Sequence, residues 1–156
     1  MGEGDRARAL AQDEAARRAM TRTLPSGSTR AALCEIVHEQ AFEDAAERCL
    51  ACQSCTSVCP TCFCSTVAED NHLDGSSVRV RRRDSCFPPD FSYMHGGRVR
   101  GSLTGRYRHW MRHKLATSHD QWGVDVCVGC GRCTTLCPAV IDFVAEASRI
   151  AGRAGQ

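Results

Sequence analysis

At 156 residues with a formal charge of +2, the chain can bury only a modest core, and its charge is too small to mark a nucleic-acid binder. No apolar stretch approaches the roughly 18 residues that cross a bilayer, so direct membrane insertion is not expected. The N-terminus MGEGDRARALAQDEAARRAM lacks an apolar h-region and carries acidic residues, unlike a secretory or transit peptide, which makes the expected location cytoplasmic.

Residues 1–23 are rich in Ala, Arg and Glu but show no strong apolar stripe, and they predict a marginal helix or a docking arm, which sets residues 1–30 apart from a domain over 31–156. Pro25, Ser26, Gly27 and Ser28 break that helix, and Ser28 or Thr29 can cap a second one running to about Arg48. Leu33, Ile36, Val37 and Phe42 give it an apolar side. From Thr66 to Phe91 the chain turns polar, with Asn71, Asp74, Gly75, Pro88 and Pro89 marking turns, while alternation around Val78 and Val80 predicts a short hairpin. Gly96, Gly97, Gly101 and Gly105 predict irregular chain. Tyr107, Trp110, Met111 and Leu115 recur at helical spacing and predict a helix over 103–116. Asp142 is expected to cap a last helix through about Ile150, ended by Gly152. Helices flank the cysteines and strands are scarce.

Twelve cysteines in so short a chain call for metal or redox work, because reducing compartments do not sustain disulfide frameworks. One pattern occurs twice. Cys49, Cys52, Cys55 and Cys59 are followed by Pro60, and Cys127, Cys130, Cys133 and Cys137 by Pro138. A cubane offers four irons, each needing a thiolate, and cysteines spaced three apart let one loop wrap three corners. The fourth cysteine of such a run ligates the other cluster in two-cluster proteins. That rule assigns Cys49, Cys52, Cys55 and Cys137 to one 4Fe-4S cluster, and Cys127, Cys130, Cys133 and Cys59 to the second. Proline after each fourth cysteine fits, since it fixes φ and turns the backbone off the loop. Zinc is the competing reading, but zinc sites use two separated pairs and need neither a third cysteine in step nor the proline. The second loop, CVGCGRC, has Gly129 and Gly131 where the first, CLACQSC, has no glycine. Closer backbone amides tune a cluster's potential, so two unequal potentials are expected.

Four cysteines remain. Cys34 reads as a small buried hydrophobe. Cys62 and Cys64 in CPTCFC and Cys86 in DSC leave two readings open, buried packing or convergence on a third metal site or a redox disulfide; three ligands alone do not close a zinc site. Arg79, Arg81, Arg82 and Arg83, then Arg98, Arg100, Arg106, Arg108, Arg112 and Lys114, make the middle of the chain basic, a pattern that suits docking an acidic partner or offsetting cluster charge better than RNA. His109 and His113 have metal-capable spacing but no matching third ligand, and they read as surface histidines.

The segments ERCLACQSCTSVCPTCFC, RRRDSCFPPDFSYMHGG, RYRHWMRHK and CVGCGRCTTLCPAVID together resemble the dicluster domain of the sulfhydrogenase (NiFe hydrogenase) beta subunit. That family is similar to the A-type component of anaerobic sulfite reductase. The resemblance spans about Ala46 to Gly152. It implies a mainly α fold, an α-helical ferredoxin-like two-cluster domain with long irregular loops. It implies an electron-transfer subunit, not catalytic alone, that links a flavoprotein or iron–sulfur reductase to a catalytic partner such as a NiFe hydrogenase or a sirohaem reductase. An enzyme using Cys62, Cys64 and Cys86 is the alternative.

Overall fold

The computed structural model describes residues 2–23, 28–36, 38 and 40–153. The first helix, α1 (Glu3–Ala19), buries no side chain. It is held by its own composition and by ion pairs one turn apart, Asp13 with Arg17 at 3.1 Å and Glu14 with Arg18 at 3.2 Å, which stabilise an exposed helix by only a few tenths of a kcal/mol each. The expected linker residues Pro25, Ser26 and Gly27 lie outside the described residues.

The single helix predicted up to Arg48 is two helices, α2 (Ser28–Glu35) and α3 (Gln40–Arg48). α2 already includes Ser28. β-branched Ile36 sits at the break, where helix propensity is weak, and Val37 lies outside the described residues. After the break α2 packs against the later part of the central helical path and the last helix, and α3 chiefly against the first part of the central one. Leu33 and Phe42 are fully buried, as the apolar pattern required. A single turn, α4 (Ser54–Ser57), follows inside the first cysteine run.

The predicted hairpin forms and is longer than the alternation implied: β1 (Ser65–Asn71) pairs antiparallel with β2 (Ser77–Arg83), from Ser65 opposite Arg83 to Asn71 opposite Ser77. Gly75, at φ +84, supplies the left-handed residue that its turn requires. The strands β3 (Tyr93–Met94) and β4 (Gly97–Arg98) make a second, minimal ladder in the glycine-rich stretch. About half the chain is helical, and two two-stranded sheets complete the regular structure of the described residues.

The central helix, α5 (Leu103–Arg112), takes in Gly105, whose N–H donates to the capping Ser102 hydroxyl at 3.0 Å. It runs through a π turn (His113–Thr117) into α6 (Ser118–Trp122), so the helical path extends past the predicted end. Trp110 anchors an aromatic group, with ring centroids 5.6 Å from Phe87, 5.5 Å from Tyr107 and 4.8 Å from Phe143. The second cysteine run holds α7 (Arg132–Thr135), and the chain closes with α8 (Phe143–Ala151). Buried Glu146 on α8 pairs with Arg48 and, at 2.8 Å, with Arg149, while Arg149 reaches Asp44 at 2.9 Å. These contacts lock α8 to α3. No described helix is long and apolar enough to cross a membrane.

Asp142 caps α8 as expected, accepting from the N–H groups of Val144 and Ala145 at 3.1 Å each, and it also pairs with Arg22. Burial raises its pKa, but the Arg22 guanidinium and the two amides outweigh that and hold it below the usual value of 3.8. The stabilisation is therefore present above pH 3.8 and lost as pH falls below it. Asp142→Ala is expected to cost about 1 kcal/mol in denaturant unfolding near neutral pH, whereas Asp142→Asn, which keeps the cap acceptor, costs a few tenths.

Candidate metal centre

Both cysteine runs fold the same way. In the first, the N–H groups of Thr56 and Ser57 donate to the Gln53 carbonyl at 3.1 and 3.0 Å, and that of Val58 to Ser54 at 3.0 Å. In the second, Thr134 and Thr135 donate to Gly131 and Leu136 to Arg132, each at 3.0 Å. Left-handed backbone falls at matching positions: Ala51 (φ +51) and Gln53 (φ +67) in the first loop, Gly129 (φ +66) and Gly131 (φ +71) in the second. The first loop thus holds, with side chains that disfavour it, a conformation that glycine adopts freely.

Two cavities open against these loops. One is lined by Cys49, Cys52, Cys55 and Cys137. The other, of about 150 Å³, is lined by Cys127, Cys130, Cys133 and Cys59. Each therefore gathers three cysteines of one run and the fourth of the other. Cys133 also lines the first cavity, so the two share a wall. Among the described residues no three His, Cys, Asp or Glu side chains close on a single ion. Four thiols spread around a space, rather than around a point, match a cubane whose irons each take one thiolate.

The first cavity is walled by Phe87, Tyr107 and Trp110, and the Tyr107 hydroxyl and the Trp110 indole N–H are buried without a hydrogen-bond partner. Two idle donors beside four thiols fit an anionic group whose sulfurs accept hydrogen bonds, the kind of occupant that explains an unpaired buried donor. Burial drives the Cys55 thiol up, with the neighbouring Cys49 and Cys133 adding to it, so a bound metal must displace that proton.

The second cavity carries a cation. Lys114, in the π turn, is 4% exposed and lines the cavity beside Cys59. Its ammonium donates to the Thr61 hydroxyl at 3.2 Å. Burial pushes the Cys59 thiol up, but hydrogen bonds from Thr61 and Lys114 outweigh it and bring the pKa down to about 7. Burial likewise works against the Lys114 charge, and Cys59 restores it, raising its pKa. Lys114 was legible in sequence only as part of a basic stretch; the signal that sets it apart is its place inside the apolar stripe of Met111 and Leu115.

The DSC element braces the first loop from outside. Ser85 is buried and accepts a 2.9 Å bond from the Thr56 hydroxyl inside α4, and Arg83 donates to the carbonyls of Thr56 at 2.9 Å and Cys59 at 3.3 Å. Cys62 shares a hydrogen bond with Cys59, and Cys64 with Cys86. Cys34 is half-buried against the core. His109 and His113 are half-buried rather than on the surface, stacked with centroids 5.6 Å apart, and burial with the nearby Arg100 pulls His109 down to about 4. In the basic stretch Arg79 pairs with Glu69 at 2.6 Å and Arg98 with Asp90 at 2.9 Å.

Residues 48–141 match the family model described as the 4Fe-4S dicluster domain. The chain belongs to this family. It binds two 4Fe-4S clusters and is an iron–sulfur electron-transfer domain. It is 42% identical over 100 residues to Sulfhydrogenase 2 subunit beta of Pyrococcus furiosus, an alignment that covers 64% of this chain and 29% of that relative. The chain thus spans less than a third of the length of the curated relative it matches. No solved structure matches it.

The left-handed positions yield a stability test on anaerobic, cluster-loaded protein. Gln53→Gly is expected to raise unfolding stability by about 1 kcal/mol, and Gly131→Gln to lower it by about 1–2 kcal/mol, read as a shift in thermal midpoint.

Proposed function

We propose that Cys49, Cys52, Cys55 and Cys137 hold one cluster and Cys127, Cys130, Cys133 and Cys59 the other, and that the chain relays electrons through them within a multisubunit oxidoreductase. The observation that carries this reading is the pair of four-cysteine cavities with Cys133 in their common wall, which brings the two redox centres side by side. When bound, the clusters supply the one-electron chemistry; the chain holds them, sets their surroundings and keeps water from their inner faces.

Entry and exit follow from exposure. The middle cysteine of each loop, Cys52 and Cys130, is exposed, and next to it stand exposed apolar side chains at matching positions, Leu50 at 67% and Val128 at 58%. Each loop tip therefore offers a partner an apolar contact over its own cluster. A flavoprotein or iron–sulfur reductase is the donor, with a catalytic partner of the NiFe hydrogenase kind as acceptor; the name of the Pyrococcus furiosus relative, a sulfhydrogenase subunit, supports the hydrogenase part of this reading.

The surroundings of the two cavities differ in a way that gives the relay a direction. Lys114 places a buried positive charge beside one, while the neutral donors of Tyr107 and Trp110 face the other. A fixed cation favours the reduced, more negative state of its cluster.

Anaerobically prepared protein is expected to contain about eight iron and eight acid-labile sulfide per chain, and a redox titration followed by EPR to resolve two midpoints. Lys114→Met is expected to lower one of them by on the order of 50 mV and leave the other within error. A single shared midpoint, or equal shifts of both, contradicts the assignment of Lys114 to one site.

A further inference from the structure

The two cluster cavities account for eight of the twelve cysteines. Of the other four, Cys34 packs against the core from α2 and Cys62 lies beside Cys59, which leaves Cys64 and Cys86 as a pair. The hairpin brings them together. Its register puts Ser65 opposite Arg83, and one step further the Asp84 N–H donates to the Cys64 carbonyl at 2.9 Å, so the segment before β1 and the segment after β2 remain side by side. The two thiols are neighbours there, each the first influence on the other's titration.

We propose that Cys64 and Cys86 are a redox-active dithiol that closes reversibly to a disulfide by exchange with an external thiol–disulfide couple, with Cys64, on the open groove, as the attacking sulfur and Cys86 as the buried resolving one.

The asymmetry of the pair supports these roles. Cys86 is 6% exposed and packs in the core beside Phe87. Cys64 is half-buried and lines an open groove with Cys62, Arg81, Arg82 and Arg83, where an anionic thiol compound finds both a sulfur and guanidinium groups. The hydrogen bond from Cys86 draws the Cys64 thiol down to about 7 against the pull of burial and Asp84, and drives the Cys86 thiol up. A thiol near ambient pH is the better attacking group, and its protonated neighbour is held in reserve.

The exchange balances. Cys64 thiolate attacks one sulfur of an external disulfide, forming a mixed disulfide and breaking the external S–S bond; the released thiolate takes up the proton Cys64 gave. Cys86 then loses its proton and attacks the Cys64 sulfur, expelling the second external thiolate, which takes that proton. Two electrons pass from the pair to the external disulfide, which departs as two thiols, and the reverse sequence reopens the bond. Oxidation closes the pair to a bond of about 2.05 Å.

The test uses anaerobic, cluster-loaded protein equilibrated with mixtures of reduced and oxidised glutathione, quenched in acid, alkylated and digested for mass spectrometry. At oxidising ratios Cys64 and Cys86 are expected to lose both alkylation tags and appear as one linked peptide, and to regain both tags when reduced glutathione is restored. Cys86→Ser is expected to abolish the linked peptide, and both Cys64→Ser and Cys86→Ser to retain the iron content of the parent. The proposal is overturned if both thiols are alkylated at every ratio, if Cys64 links to Cys62 instead, or if Cys64→Ser lowers the iron content, which would assign the thiols to a third cluster.

Discussion

The structure depends on a crossing. Cys59 and Cys137, the fourth cysteines of the two runs, each line the cavity built by the other run. The consequence is mechanical as well as chemical. In the proposed crossed ligation, a chain with a modest core gains from two bound clusters links that close long loops and so remove much of the unfolded chain's freedom. The cost sits in the sites themselves. Thiols packed this closely raise one another's pKa, as at Cys49, where burial leads and Cys137 and Cys52 add to it. At Cys49, Cys55 and Cys133 the packing therefore opposes thiolate formation, and metal binding must supply the difference.

Around the crossing, the fold is a set of braces. The aromatic group of Phe87, Tyr107 and Trp110 closes the inner wall of the first cavity, and the α3–α8 ion-pair network fixes the helices that precede the first run and follow the second. The DSC element ties the hairpin to α4 through Ser85 and Thr56. Hydrogen bonds from Thr56 to Ser85 and from Arg83 to the loop carbonyls, with the aromatic packing, hold the first loop from several directions at once. That over-determination is what allows Ala51 and Gln53 to remain left-handed.

Much of this was legible in the sequence, for identifiable reasons. The cysteine spacing specifies chemistry directly, because the loop and the cubane constrain each other, and the Asp142 cap and the 103–116 helix follow from local rules. The helix break after Glu35 was not legible, since it is decided by where α2 and α3 pack and not by a proline or glycine. Nor was the equivalence of the two loops. CLACQSC carries no glycine, and only the backbone angles show that Ala51 and Gln53 take the left-handed conformation of Gly129 and Gly131. Lys114 was hidden for another reason: a lysine in a basic stretch reads as solvated, and only the π turn shows it buried beside Cys59.

The crossed assignment is tested most directly by comparing which cluster survives in single-cysteine variants. The EPR signal that remains in Cys59→Ala is expected to match that of Cys127→Ala, and the signal in Cys137→Ala to match that of Cys49→Ala. If Cys59→Ala instead matches Cys49→Ala, each run holds its own cluster and the crossing is wrong.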